Sequence, residues 1–304
     1  MKIPAEDREI FPFLLRERIK KTAKAAKGER HTMITTLTAR HTGNAGILIN
    51  IEKTDTEKSA AGEKPERVSL GIDVFCRDRK RLYEDTPEKE RAFLLDRIES
   101  GELKALVFTH EHGDHFCLED VLEAWRRNPR LPIISTRKVI QKIRQSSPKG
   151  TVVSEGALTE ISPGEKGFVK LEAAPGMWLT LFNSPHMGEQ FADIQNLVCL
   201  LEAGDRKLLI PGDARPDAEL FERAARWSPV IDWLIGPFPL LGLPSSRKKI
   251  AAALTVRHVL AVHLPRPEMD AHGWRESAVK VCERAADGLP MPLFGDVIGE
   301  NYRL

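Results

Sequence analysis

The stretch ALVFTHEHGDHF, residues 105–116, runs from an apolar segment directly into histidines 110, 112 and 115, with Glu111 and Asp114 between them. An extended segment sends side chains i and i+2 to the same side, so His110 and His112 can reach one ion. Gly113 has no Cβ and permits a sharp turn, which can aim Asp114 and His115 at a second point close by. Neutral imidazole nitrogen and carboxylate oxygen are both ligands for divalent metals. One loop can therefore supply half the ligands of a two-metal site. Glu111 alternates to the other side and is not needed as a ligand.

The loop cannot complete such a site alone, and downstream signals follow, each where an apolar strand-like run ends. LFNSPH brings His186, LLIPGD brings Asp213 and VLAVH brings His263. Ligand sites in layered α/β proteins gather on loops at one edge of a sheet. Of nine histidines, His110, His112, His115, His186 and His263 fall in these motifs. The others, His31, His41, His258 and His272, read as ordinary surface or hydrogen-bonded histidines.

The 304-residue chain is long enough for a large core. Hydrophobic residues make up 41% and charged residues 30%, the balance of a soluble globular protein. The formal net charge of +2 argues against a dedicated nucleic-acid binder. Cys76, Cys117, Cys199 and Cys282 are widely spaced with no C-x-x-C pair, which predicts reduced cysteines and a cytoplasmic protein. The start, MKIPAEDREI, lacks the apolar core of a signal peptide, and no window suits a membrane span.

Residues 10–27 read as a basic amphipathic helix, with Phe11, Leu14, Leu15 and Ile19 on one side. We assign 1–32 as an N-terminal helical extension, suited to a subunit or domain contact, and 33–304 as the main domain. A homo-oligomer is compatible with this. Residues 53–67 predict an exposed loop. Beyond it, strand-like runs at 68–75, 103–108 and 131–136 alternate with helical ones at 87–101, 117–128 and 137–145. Strand-like runs then cover 151–155 and several segments from 168 to 212. Helices follow at 216–227, 245–256 and 269–288, with strands at 230–236 and 258–263. Strands in series with flanking helices predict layered sheets with helices outside.

With its downstream partners, THEHGDH resembles the signature of the metallo-β-lactamase superfamily of metallohydrolases. The resemblance covers about residues 34–300. Within the superfamily it is nearest to the lactonase-like and phosphodiesterase-like branch that includes ascorbate-6-phosphate lactonases. TGNAGILI and LGIDVF occupy the places of two characteristic strands of that branch, with Asn44 where histidine and Val74 where proline are common. The resemblance implies an α/β fold, a four-layer αββα sandwich. It implies that His110, His112 and His186 hold one divalent ion, that Asp114, His115 and His263 hold a second, and that Asp213 bridges them. Zinc is the expected metal, with manganese and iron as alternatives. Asp73 corresponds to an aspartate that braces the metal loop.

The implied activity is hydrolysis of an ester, lactone or phosphodiester bond in a small substrate by a metal-bridging hydroxide, with Asp114 orienting the nucleophile. Arg215, two residues past Asp213, suits an anionic group on a substrate, and with Asn44 it forms the substrate-binding candidates. Three alternatives stand beside this reading. A nuclease of the same fold is disfavoured by the charge and by the lack of room for an inserted domain between His186, Asp213 and His263. An iron oxygenase, in particular a mononuclear dioxygenase, shares the ligand types. A non-catalytic scaffold would be expected to have lost ligands.

Overall fold

The computed structural model describes residues 33–55, 65–146, 156–164 and 167–304. The helix expected over 10–27 and the strand expected over 151–155 lie outside them. The first sheet is built, in chain order, from β1 (Met33–Gly43), β2 (Gly46–Asp55), β3 (Glu66–Ile72), β4 (Leu103–Phe108), β5 (Ile133–Ser135), β6 (Leu158–Glu160) and the C-terminal β14 (Asn301–Arg303). Its spatial order is β14-β1-β2-β3-β4-β5-β6. The second sheet contains β7 (Val169–Ala174), β8 (Met177–Pro185), β9 (Gln195–Ala203), β10 (Arg206–Ile210), β11 (Val230–Pro237), β12 (Thr255–Val262) and β13 (Leu293–Phe294). Its order is β13-β12-β11-β10-β9-β8-β7.

Both sheets follow one plan. From β14 to β3, and from β7 to β10, neighbours are antiparallel; from β3 to β6, and from β10 to β13, they are parallel. Two antiparallel steps make β8 run the same way as β10, and β11 and β12 continue in that direction. The C-terminal ends of β8, β10 and β12 therefore share one edge of the second sheet.

Strand alternation sorts side chains into the layers. Ala105 and Val107 of β4, and Leu197, Cys199 and Leu201 of β9, enter the core between the sheets. Their neighbours Leu106 and Phe108 face α1 (Glu88–Glu99), α2 (Leu118–Arg127) and α3 (Arg137–Ser146). Val198 and Leu200 face α4 (Ala218–Trp227) and α6 (Pro244–Ala253). A strand buried on both faces is a near-continuous apolar run, which explains ALVF in β4 and LVCLL in β9. Helices bury i, i+3, i+4 positions instead, such as Val121, Ala124 and Trp125 in α2. Two short helical elements complete the second face: α5 (Phe238–Gly242) and α7 (Trp274–Arg284). The result is the expected αββα sandwich. Among the described residues, no helix is long and apolar enough to cross a membrane.

Several boundaries differ from the sequence reading. β2 extends to Asp55 and β3 begins at Glu66, so strand pairing consumes both ends of the predicted 53–67 loop; Lys53 is opposite Glu66. The helix expected over 245–256 stops at Ala253, because Thr255 and Val256 pair with Val230 and Ile231 of β11. The last helix starts only at Trp274, after a 3-10 turn at Pro267–Met269.

Leu201 lies at the centre of the inter-sheet core, fully buried. Leu201→Ala is expected to cost about 2–5 kcal/mol in urea-induced unfolding, and a loss below about 1 kcal/mol would contradict this layer assignment.

Candidate metal centre

The quoted loop starts where β4 ends, beside the end of β3, whose last residues pair in parallel with β4. The next residue, Asp73, has φ +52, a left-handed conformation that aspartate tolerates better than most residues. Its buried carboxylate accepts hydrogen bonds from the Thr109 backbone N–H at 2.8 Å, the Thr109 hydroxyl at 2.7 Å and His115 Nδ1 at 2.8 Å. Gly113 completes the turn. A Cβ there would lie 2.7 Å from the Arg77 carbonyl oxygen, and the Arg77 N–H donates to Gly113 O. His112 O accepts from the N–H groups of His115 and Phe116, closing the turn that presents Asp114.

The second sheet delivers the other residues. His186 follows β8 and bridges to Ala214, just past Asp213; Met187 N–H donates to Asp213 O at 2.8 Å. Asn196 holds the Asp213 turn, accepting from its N–H at 3.0 Å and donating to Pro211 O. Gly212 has φ +58, and a Cβ on it would meet Asn196 Oδ1 at 2.5 Å and Thr109 Cβ at 2.9 Å. Leu197 N–H donates to Thr109 O, so the two sheets are tied directly at the site. His263 follows β12 with φ +60.

These elements bring the whole predicted set together. His110, His112 and His186 form one group, and Asp114, His115, Asp213 and His263 form another; within each group the potential ligand atoms lie within 4.8 Å of one another. His110 Nε2 and His112 Nδ1 are 3.1 Å apart. Asp213 stands between the groups: its Oδ2 is 3.5 Å from His186 Nε2 and 3.4 Å from His263 Nε2, and its Oδ1 is 3.3 Å from His115 Nε2. Asp114 Oδ2 is 3.1 Å from His263 Nε2. Glu111 turns away, and Lys138 Nζ lies 3.1 Å from its carboxylate.

The donor set fits divalent metal. His115 Nδ1 is engaged by Asp73, and His186 Nδ1 by Met187 O at 2.6 Å. Those bonds place the N–H on Nδ1 and leave the Nε2 lone pair facing the centre. His110 is oriented likewise by the Thr109 hydroxyl at 3.0 Å. Yet among the described residues His115 Nε2, His186 Nε2, His263 Nε2 and Asp213 Oδ1 are buried with no well-formed hydrogen bond, only the close approaches to one another given above. Buried polar atoms are ordinarily satisfied, and a cation answers several acceptors at once.

Electrostatics divides the groups. Burial, reinforced by neighbouring histidines, lowers His110 and His112 below the ordinary imidazole range. Burial alone would also lower His115 and His263, but the Asp213 charge leads a set of carboxylates that outweighs it. His115 is held well above the usual range and His263 is raised to about 9. Burial would raise both carboxylates, yet histidine partners bring Asp114 down to about 2 and Asp213 well below its ordinary value. His110 and His112 are thus held toward the neutral form, whereas His115 and His263 are paired with carboxylates and hold protons on atoms a metal would take.

The two substrate candidates fall in different environments. Asn44 is 2% exposed; its side-chain amide N–H donates to Asp114 O at 2.8 Å, and its backbone carbonyl accepts from His263 N–H at 3.1 Å. The structure makes it a brace between two site residues, while its Oδ1 has no hydrogen-bond partner among the described residues. Arg215 is half exposed near His186, its N–H donating to Pro185 O and its guanidinium 2.6 Å from Asp217. Sequence reasoning missed Asn196, Thr109 as a relay, Tyr83 and Phe191. The Tyr83 ring centroid is 4.0 Å from that of His263, and the Phe191 centroid is 4.8 Å from His112 and 5.0 Å from His186. Lone aromatics in loops give no periodic signal. Phe116 packs against Phe108 in the helix-facing core.

No protein-family model and no curated protein matches the chain. Solved structures do. The metallo-beta-lactamase fold protein YhfI from Bacillus subtilis is 13% identical over 89% of this chain and 100% of its own, with a TM-score of 0.54. Igni18, a metallo hydrolase from the archaeon Ignicoccus hospitalis, is 16% identical over 89% of this chain and 99% of its own, with a TM-score of 0.53. Yeast PDE1 is 12% identical over 89% of this chain and 100% of its own, with a TM-score of 0.56. At these identities the likeness is one of architecture, and the chain has the metallo-β-lactamase fold.

Metal and protons compete for the same nitrogens. At neutral pH the metal-free His263 is protonated, and it loses that proton only as pH rises through about 9. Zinc titration by calorimetry in buffers of different ionisation enthalpy is expected to show proton release, with affinity rising from pH 6.5 to 9. A pH-independent affinity would exclude the second group as the binding site.

Proposed function

We propose that this chain is a metal-dependent hydrolase that cleaves an ester, lactone or phosphodiester bond in a small substrate at a two-metal centre. The observation that carries this reading is Asp213, a buried carboxylate shared by two adjoining ligand groups whose facing atoms lack other partners. In this proposal His110, His112 and His186 hold one ion, Asp114, His115 and His263 the other, and Asp213 contributes to both. Zinc suits these nitrogen and oxygen donors, as do manganese and iron. Bound ions would supply a water acidic enough to ionise near neutral pH and a Lewis acid for the substrate oxygen.

The chain's own residues have separable tasks. Asp73 fixes the His115 tautomer and, through the Thr109 hydroxyl, that of His110. Asp114 is the more open carboxylate, its side chain 16% exposed against 10% for Asp213. It is therefore the group assigned to orient the incoming water and accept its proton. Arg215 at the rim is the candidate for an anionic substituent, once it leaves Asp217. The description of Igni18 as a metallo hydrolase accords with the reading. The near-neutral net charge favours a small substrate over nucleic acid. The lactonase-like branch is the proposed neighbourhood within the fold, and residues 1–32 are proposed as a subunit contact.

The test pairs elemental mass spectrometry of the purified protein with a substrate panel: a chromogenic phosphodiester, an aryl ester and a lactone. About two zinc or manganese ions per chain and turnover of one class are expected. Asp213→Ala should lose at least about 100-fold in activity while keeping its secondary structure. One iron per chain with no hydrolysis would replace this reading with an oxygenase.

A further inference from the structure

We propose that the Tyr83 phenol is the hydrogen-bond donor this centre offers to a substrate oxygen at the reacting atom, on its Asp114–His263 side. The inference rests on the hydrolase reading. It begins with position: the half-buried Tyr83 ring meets His263 edge-on, with centroids 4.0 Å apart and planes at 65°. A phenol is neutral near pH 7 and can donate a hydrogen bond, and the ring that carries it touches a residue of the second ligand group.

The backbone of Tyr83 is fixed from several directions. Its N–H donates to Asp78 Oδ2 at 2.9 Å, and its carbonyl accepts from Arg266 Nε at 2.8 Å. Arg266 N–H donates to Leu82 O, and Tyr83 forms a bridge with Pro265, two residues past His263. Asp78 also accepts from Lys80 N–H, while Asp85 accepts from Asp78 N–H. Arg81 has φ +59, a strained conformation that persists only where the surroundings over-determine it. All these bonds hold the loop from Asp78 to Thr86 in one shape, with the Tyr83 ring against the site. Rigid support of this kind is what a preorganised donor needs.

The hydroxyl itself is unused. Among the described residues it has no hydrogen-bond partner, although the tyrosine ring packs against the small apolar cluster of Phe238, Leu264 and Ala278. Phenylalanine would serve that packing equally well. The chain has only two tyrosines, and the other, Tyr302, spends its hydroxyl on Glu300. Beside the first ligand group, the Phe191 ring packs edge-on against His112 and His186 and has no donor. Of these two aromatic neighbours of the centre, only Tyr83 can donate to a substrate oxygen, and it stands on the Asp114–His263 side.

The test compares wild type with Tyr83→Phe, both zinc-loaded. On whichever panel substrate the wild type turns over, kcat should fall about 100-fold with little change in KM and the same metal content. Inorganic phosphate, used as an oxyanion probe in calorimetry, should bind Tyr83→Phe about tenfold more weakly. Unchanged kcat and phosphate affinity would overturn the donor role and leave the hydrolase reading standing. Loss of metal from the variant would make Tyr83 a brace for His263 and also overturn it. Wild type inert toward the whole panel would sink the hydrolase reading. The phosphate titration would then decide Tyr83 alone, weaker binding supporting it and equal or absent binding refuting it.

Discussion

The candidate centre depends on one buried carboxylate. Asp73 receives the Thr109 backbone, the Thr109 hydroxyl and His115 Nδ1. A charge removed from water is tolerated only when such donors surround it. Those donors are the residues that begin and end the metal loop. Satisfying Asp73 therefore sets the direction of β4's exit, the tautomer of His115 and, by relay, that of His110. Each of these would otherwise be free to vary, because a loop rich in histidine and glycine has little intrinsic preference for one shape.

A second constraint lies between the sheets. Thr109 O accepts from Leu197 N–H, and the Gly212 turn packs against the Thr109 side chain with no room for a Cβ. The metal loop of the first sheet and the Asp213 turn of the second are in this way held at one distance. Asn44 does the same for the other end, joining Asp114 to His263 through its amide and its carbonyl. The site is a seam between two similar sheets, and its polar braces replace the apolar packing that holds the sheets together elsewhere.

The electrostatic split follows from the same geometry. Burial lowers His110 and His112, whereas the carboxylates of Asp114 and Asp213 raise His115 and His263. The two ligand groups are therefore unequal before any ion arrives: one presents lone pairs, the other must exchange protons. The aromatic walls repeat the inequality, Phe191 on the first side and Tyr83 on the second.

Much of this was legible in the primary structure. Strand alternation and apolar runs such as ALVF, residues 105–108, identify two-sided burial because side-chain direction is a local property of the chain. The density of His110, His112, Asp114 and His115 around Gly113 marks a ligand loop for the same local reason. His186, Asp213 and His263 could be placed at strand ends, but their convergence depended on strand direction and order, which are settled by pairing between distant segments. The bracing role of Asn44 was not legible, since its neighbours Asp114 and His263 follow the ends of β4 and β12. Tyr83 gave no signal at all: what matters about it is a ring contact across 180 positions of sequence. Sequence determined the layers and the ligand types, through periodicity and residue chemistry. Only the tertiary structure decided which groups meet, which nitrogens face the centre and which hydroxyl is left free, because those depend on contacts that no local preference encodes.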